Sequence, residues 1–233
     1  MIQNKTRKSV YTLNLGGNFN PEITKMTYPW IKHWCRKIGA EFCEITERKF
    51  PQWTETYEKH QVYGLAQQRE DDWSIFCDSD TVIHNDFFDV TDFIPRNSCA
   101  MNGNDPAFLR WKYNKFLKRD SRHIGACTWF VVASDWTREI FEPPPDLTQE
   151  EVTESIFPVQ GEVITGLIPP KRLCEDFTFS HNIAKYGLKF MGINDLLISL
   201  GYKEPSFLFH LYNMPAEEKV VRIESCLKSW RMM

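Results

Sequence analysis

The sequence has no run of apolar residues near the roughly 20 needed to cross a bilayer as a helix, so no transmembrane segment is expected. Its first nine residues carry Lys5, Arg7 and Lys8 but no apolar core of a signal peptide. It has no excess of positive charge. Lys and Arg number 28 against 31 Asp and Glu, a net charge of −3, which argues against a nucleic-acid partner. It has no CxxC pair. The seven cysteines, at 35, 43, 77, 99, 127, 174 and 226, are odd in number, which argues against a disulfide framework or a structural zinc site. Cys43, Cys77 and Cys127 lie in apolar runs as small hydrophobes. Together these features point to a reduced, cytoplasmic compartment. No stretch matches GxGxxG or a P-loop.

What is present is ordinary in bulk and unusual in one place. The 233 residues, 42% hydrophobic and 25% charged, suffice for one α/β domain with a substantial core. In the stretch Trp73 to His84, the apolar run ending at Cys77 meets Asp78-Ser79-Asp80, and Val82 and Ile83 follow. A short apolar run reads as a buried strand of a parallel sheet. Carboxylates at the end of such a strand are costly unless solvated or bound to something. Residues i and i+2 of an extended segment point to one side, so Asp78 and Asp80 can converge on one cation at the carboxyl edge, where open α/β sheets bind ligands. Three readings compete: an Asp-rich turn without a ligand, a DxD site for a nucleotide sugar, and the first motif of a haloacid-dehalogenase-type phosphatase.

The flanking chain alternates strand and helix. Ser9–Leu15 is β-rich and ends at Gly16-Gly17. Thr27-Tyr28-Pro29 reads as a helix start, Ile31, Trp34, Cys35 and Ile38 recur at helical spacing, and Gly39 stops the helix. Residues 40–46 form a second strand and 54–69 a second helix, in which Lys59 reads as a solvated surface charge when taken alone. The order strand, helix, strand suggests a parallel sheet. Residues 105–123 form a basic and aromatic insert, readable as a flap, an acceptor surface or an amphipathic helix. Residues 124–133 read as a strand, and Ser134 as the N-cap of a following helix. Thr148–Ile156 reads as a short acidic helix, and Leu173–Gly187 as a longer one with Glu175-Asp176 at its start, where the helix dipole alone favours carboxylates. Leu188–Ile193 and Phe207–Asn213 are late strands, the second carrying His210, and Glu217–Trp230 is a closing helix.

Lys59-His-Gln-Val-Tyr63 followed by Ile75-Phe-Cys-Asp-Ser-Asp-Thr-Val-Ile83 resembles the GT-A glycosyltransferases, in particular the glycogenin-like and related small families. The resemblance implies an α/β GT-A fold, with a mostly parallel central sheet and a Rossmann-like N-terminal half. It implies one domain over residues 1–233, with a nucleotide-binding half over about 1–104 and a variable acceptor half over about 105–233. It implies a metal-dependent transferase moving a sugar from a nucleoside-diphosphate sugar, a UDP-sugar first, to a glycan, lipid or protein acceptor hydroxyl. Asp78, Asp80 and His210 would ligate Mn²⁺ or Mg²⁺, and two carboxylates with one imidazole suit Mn²⁺. Asn14, Gly16, Lys59, Asp78 and Ser79 would contact the donor. Asp176, ahead of Glu175, would face the acceptor. The family's Asn near residue 125 is replaced by Gly125, Ala126 and Thr128, and its basic residue after the His is missing unless Lys219 substitutes. Against the transferase stand a phosphatase with Asp78 as nucleophile and a non-catalytic nucleotide-sugar-binding protein. In the phosphatase family, however, the Asp pair ends the first strand, far earlier than residue 78.

Overall fold

The computed structural model describes residues 6–18, 20–102, 128–143, 148, 150–151, 174–202, 207–211 and 214–233. In chain order these form β1 (Lys8–Leu13), α1 (Pro21–Ile38), β2 (Glu41–Ile45), α2 (Val62–Arg69), β3 (Trp73–Cys77), β4 (Thr81–Ile83), β5 (Ser98–Met101), β6 (Phe130–Ser134), α3 (Cys174–Tyr186), β7 (Lys189–Gly192), α4 (Ile193–Ser199), β8 (Leu208–His210) and α5 (Ala216–Ser229). Six strands make the main sheet in the order β2-β1-β3-β6-β5-β7. β1 runs parallel to β2 and β3, and β5 parallel to β7, while β6 is antiparallel to both its neighbours. This is the mostly parallel α/β sheet with a βαβ-type N-terminal half that the sequence implies.

The central strands β3 and β6, apolar except for Ser74 and Ser134, are buried at every position. On one face Val10, Ile75, Cys77 and Val132 pack with Ile31 and Trp34 of α1. On the other, Tyr11, Phe76, Val131 and Ala133 pack with Val62 and Ala66 of α2 and with Phe179 and Ile183 of α3. Adjacent residues therefore alternate between two cores, as the period of two requires.

Several elements differ from expectation. α1 begins at Pro21, six residues before the expected start, and Pro29 lies inside it. Ile23, Thr27, Tyr28, Ile31, Trp34 and Cys35 form one buried stripe, and this burial outweighs the hydrogen bond that Pro29 cannot make. Gly39 does end the helix, in the left-handed conformation. The segment expected as one helix over 54–69 opens as a 3-10 helix over Glu55–Gln61, in which Tyr57 through Gln61 are all buried. Ser134 ends β6 rather than capping an α-helix, and only a 3-10 turn, Arg138–Phe141, follows. The side chain of Asn182 on α3 takes the carbonyls of Ile140 and Glu142 at 3.0 and 2.7 Å, so no further helical turn is needed to satisfy them. The insert 105–123, the start of the strand over 124–133 and most of 148–156 lie outside the described residues.

The second sheet is small and has two strands. β4 and β8 pair antiparallel, with Thr81 opposite His210. Val82, Phe209 and Leu211 pack with Ile23 of α1 and with Ile223 and Leu227 of α5. This small core fastens the C-terminal segment onto the turn that follows β3. Among the described residues no helix is long and apolar enough to cross a membrane.

Candidate active site

Asp78, Ser79 and Asp80 lie at the carboxyl end of β3, and they form a turn rather than an extended segment. The Thr81 amide donates to the Asp78 carbonyl at 3.0 Å, and the Asp78 amide donates to the Trp129 carbonyl at 2.8 Å. The Thr27 hydroxyl of α1 donates to the Ser79 carbonyl at 2.5 Å. The turn is thus held by backbone contacts from three directions. That leaves both Asp side chains to project together, an outcome extended geometry was expected to supply.

His210 arrives from the opposite strand. Its Nε2 lies 3.1 Å from Asp80 Oδ1 and 3.5 Å from Asp78 Oδ2, and its ring stacks on Trp129 with centroids 4.8 Å apart. One ligand atom from each of Asp78, Asp80 and His210 falls within 4.8 Å of the others. Burial pushes the imidazole down, but hydrogen bonds and charge from Asp78 and Asp80 override it and raise the pKa to about 9. Burial likewise works against the Asp80 carboxylate, while His210 and Lys219 hold it down at about 2. Two carboxylates and an imidazole drawn together in this way form a donor set that fits a divalent cation.

Two lysines flank the trio. Lys59, expected to be solvated when taken alone, is 1% exposed. The 3-10 segment that carries it is buried from Tyr57 to Gln61. Its ammonium lies 3.2 Å from Glu175 Oε1 and 3.7 Å from Asp78 Oδ1. It also donates to the Thr128 carbonyl and hydroxyl, both at 3.1 Å, and sits 4.8 Å from the centre of the Phe76 ring. The Thr128 hydroxyl donates onward to Glu175 at 2.7 Å. On the far side the Lys219 ammonium of α5 pairs with Asp80 Oδ2.

The structure therefore joins Asp78, Asp80, His210, Lys59 and Glu175 in one polar cluster. Asp176 follows Glu175 on α3, and its side chain lies outside the described residues. Asn14 and Gly16 lie just past the carboxyl end of β1. Asn14 donates its side-chain amide to Glu44 at 2.9 Å, and the Gly16 amide donates to the Thr46 carbonyl at 2.8 Å. Gly16 and Gly17 have φ of 73° and 72°, which side chains tolerate poorly. Sequence reasoning missed Thr27, Glu44 and Trp129. Glu44 carried one signal, a carboxylate in the last turn of a strand. Thr27 and Trp129 act through contacts that no local pattern announces. Gly125 and Ala126 lie outside the described residues.

A sequence model described as the Rhodobacterales glycosyltransferase domain matches residues 3–124, more than half of the chain. No curated protein matches it. Among solved structures, the chain is similar to a glycosyltransferase involved in the glycosylation of the major capsid of PBCV-1. The identity is 11% over 94% of this chain and 98% of that one, with a TM-score of 0.49. It is also similar to the glycosyltransferase GlyE of Streptococcus pneumoniae TIGR4, at 10% identity and a TM-score of 0.41, covering 98% of this chain and 64% of GlyE's.

Proposed function

This chain belongs to the Rhodobacterales glycosyltransferase domain family, and on that premise we propose that it is a metal-dependent transferase using a nucleoside-diphosphate sugar, a UDP-sugar first. The observation that carries the proposal is the convergence of Asp78, Asp80 and His210 within 4.8 Å. These three residues would hold Mn²⁺ or Mg²⁺. When bound, such a cation supplies positive charge that stabilises the departing nucleoside diphosphate.

The remaining roles belong to the chain itself. Asn14 and Gly16, at the carboxyl end of β1, border the nucleotide, with the Asn14 amide oriented by Glu44. Ser79 contributes the turn that aims both carboxylates, its own carbonyl fixed by Thr27. Lys59 supplies a desolvated positive charge beside the donor site, where electrostatic stabilisation is strongest because water is excluded. Glu175 and Asp176 serve the acceptor side. Glu175 is anchored by Lys59 and Thr128, so it suits positioning of a hydroxyl or charge stabilisation near the sugar. Asp176 is the first choice for direct contact with the acceptor hydroxyl. The nucleotide half spans about residues 1–104 and the acceptor half about 105–233. The acceptor is a glycan, lipid or protein hydroxyl. Six cysteines among the described residues are free, which supports a reduced, cytoplasmic setting.

The test is release of nucleoside diphosphate from a panel of UDP- and GDP-sugars, with Mn²⁺ or with EDTA. Turnover of one donor that stops in EDTA and in Asp80→Asn is expected. Nucleotide binding without turnover of any donor would contradict catalysis and favour a non-catalytic binder.

A further inference from the structure

Lys219 stands in the first turn of α5, where the helix dipole disfavours a cation. Glu217 and Glu218 share that turn and are exposed, yet the ammonium pairs instead with Asp80 Oδ2. The side chains of the pair are 17% and 15% exposed. Asp80 is therefore divided, with Oδ2 on Lys219 and Oδ1 facing His210. The ammonium thus occupies one of the two Asp80 oxygens open to an incoming cation and leaves its charge beside the other. Two positive charges cannot share one partly desolvated carboxylate without strong repulsion.

The charge balance around the site sharpens this point. The carboxylates of Asp78, Asp80 and Glu175 are met by the two ammoniums of Lys59 and Lys219. A divalent cation entering alone adds positive charge beside both ammoniums. A diphosphate entering alone adds negative charge beside the three carboxylates. Entering together they largely cancel, and the displaced ammonium finds a phosphate oxygen as its new partner. A lysine suits this exchange, being a compact charge on a flexible four-carbon stem.

We propose that Lys219 is an internal stand-in cation. It occupies Asp80 while the site is empty and passes to the donor diphosphate when a divalent cation takes Asp80. Cation and nucleotide binding are thereby made mutually dependent. This deepens the reading above and rests on Asp78, Asp80 and His210 being the cation site.

The experiment is calorimetric titration of Mn²⁺ alone into the whole chain, wild type against Lys219→Met and Lys219→Gln, repeated in the presence of UDP. Removing the competing charge should tighten Mn²⁺ binding in the absence of nucleotide by about tenfold. It should also shrink the factor by which UDP enhances Mn²⁺ binding. Mn²⁺ affinity that is unchanged or weaker in both variants overturns the proposal. Asp80→Asn separates the two levels of the claim. If it abolishes Mn²⁺ binding while the Lys219 variants change nothing, the cation site stands and the stand-in role falls. If Mn²⁺ binds Asp80→Asn as it binds wild type, the cation site itself is wrong and the stand-in role falls with it.

Discussion

The ammonium of Lys59 lies 3.2 Å from the carboxylate of Glu175, which is 116 residues further along the chain. This contact joins the first half of the protein to α3, and through Asp78 it joins both to the carboxyl end of β3. Lys59→Met should leave two partly buried carboxylates without their shared cation. Destabilisation of about 1–3 kcal/mol is expected, below the range for fully buried pairs because Asp78 is 26% exposed. Transfer activity should fall by about 100-fold or more. Urea unfolding and donor turnover measure the two effects separately, and normal values for both would remove Lys59 from the site.

Thr27 meets the Asp78–Asp80 turn through a backbone oxygen, the Ser79 carbonyl. Thr27→Val keeps the shape of the side chain and removes the hydrogen bond to the Ser79 carbonyl. A stability cost of about 1 kcal/mol is expected, with Mn²⁺ affinity several-fold weaker because the turn is less well held. Unchanged metal affinity would mean that the turn is held well enough by Trp129 and Thr81.

His210 reaches the carboxylates only through the pairing of β8 with β4. His210→Ala should weaken Mn²⁺ binding by at least about tenfold while leaving nucleotide binding in EDTA as it was. Equal Mn²⁺ affinity would show that the histidine is a structural partner of the two aspartates.

His60 gives the fold an acid sensitivity that is separate from the site. Burial pushes its imidazole down to about 3, against the opposing pull of a hydrogen bond with the Phe141 carbonyl at 3.1 Å. The unfolded chain binds this proton near pH 6.5, and the folded chain does not until about 3. Its contribution is therefore complete above 6.5 and is lost as pH falls toward 3, at up to about 1.4 kcal/mol per pH unit. His210, with its pKa raised to about 9, acts between 6.5 and 9 in the opposite sense. Asp80, lowered to about 2 from 3.8, acts only below 3.8. Glu151, whose carboxyl is held below its ordinary value by hydrogen bonds from Thr148, acts at the acid end, so the window from about pH 5 to 6.5 separates His60 from these groups. Denaturation curves across it should flatten in His60→Gln, and an unchanged slope would assign the acid loss to other groups.

Much of the layout was legible in the sequence because local rules decide it. β1, β2 and β3 follow from apolar runs, and the Gly39 and Gly187 stops follow from their left-handed backbone. The Asp78, Asp80 and His210 trio was nameable because a carboxylate pair at a strand end and a His in an apolar strand are each visible, and the family resemblance joined them. What the sequence hid was decided by tertiary contact. The burial of Lys59 depends on a 3-10 segment that is buried over five consecutive residues, Tyr57 to Gln61, and an isolated lysine reads as solvent-facing. β4 was too short to register as a strand, yet its pairing with β8 is what brings His210 opposite Thr81. Pro29 signalled a helix start, but the buried stripe from Ile23 onward carried the helix through it.

The most direct test of the account is calorimetric titration of UDP and of GDP into the wild type and Asp80→Asn, each with Mn²⁺ and with EDTA. The account predicts that one nucleotide, UDP first, binds the wild type tightly with Mn²⁺, and that this binding collapses both in EDTA and in Asp80→Asn. Nucleotide binding that is indifferent to both Mn²⁺ and Asp80 would contradict it, and would return Asp78-Ser79-Asp80 to the status of a turn.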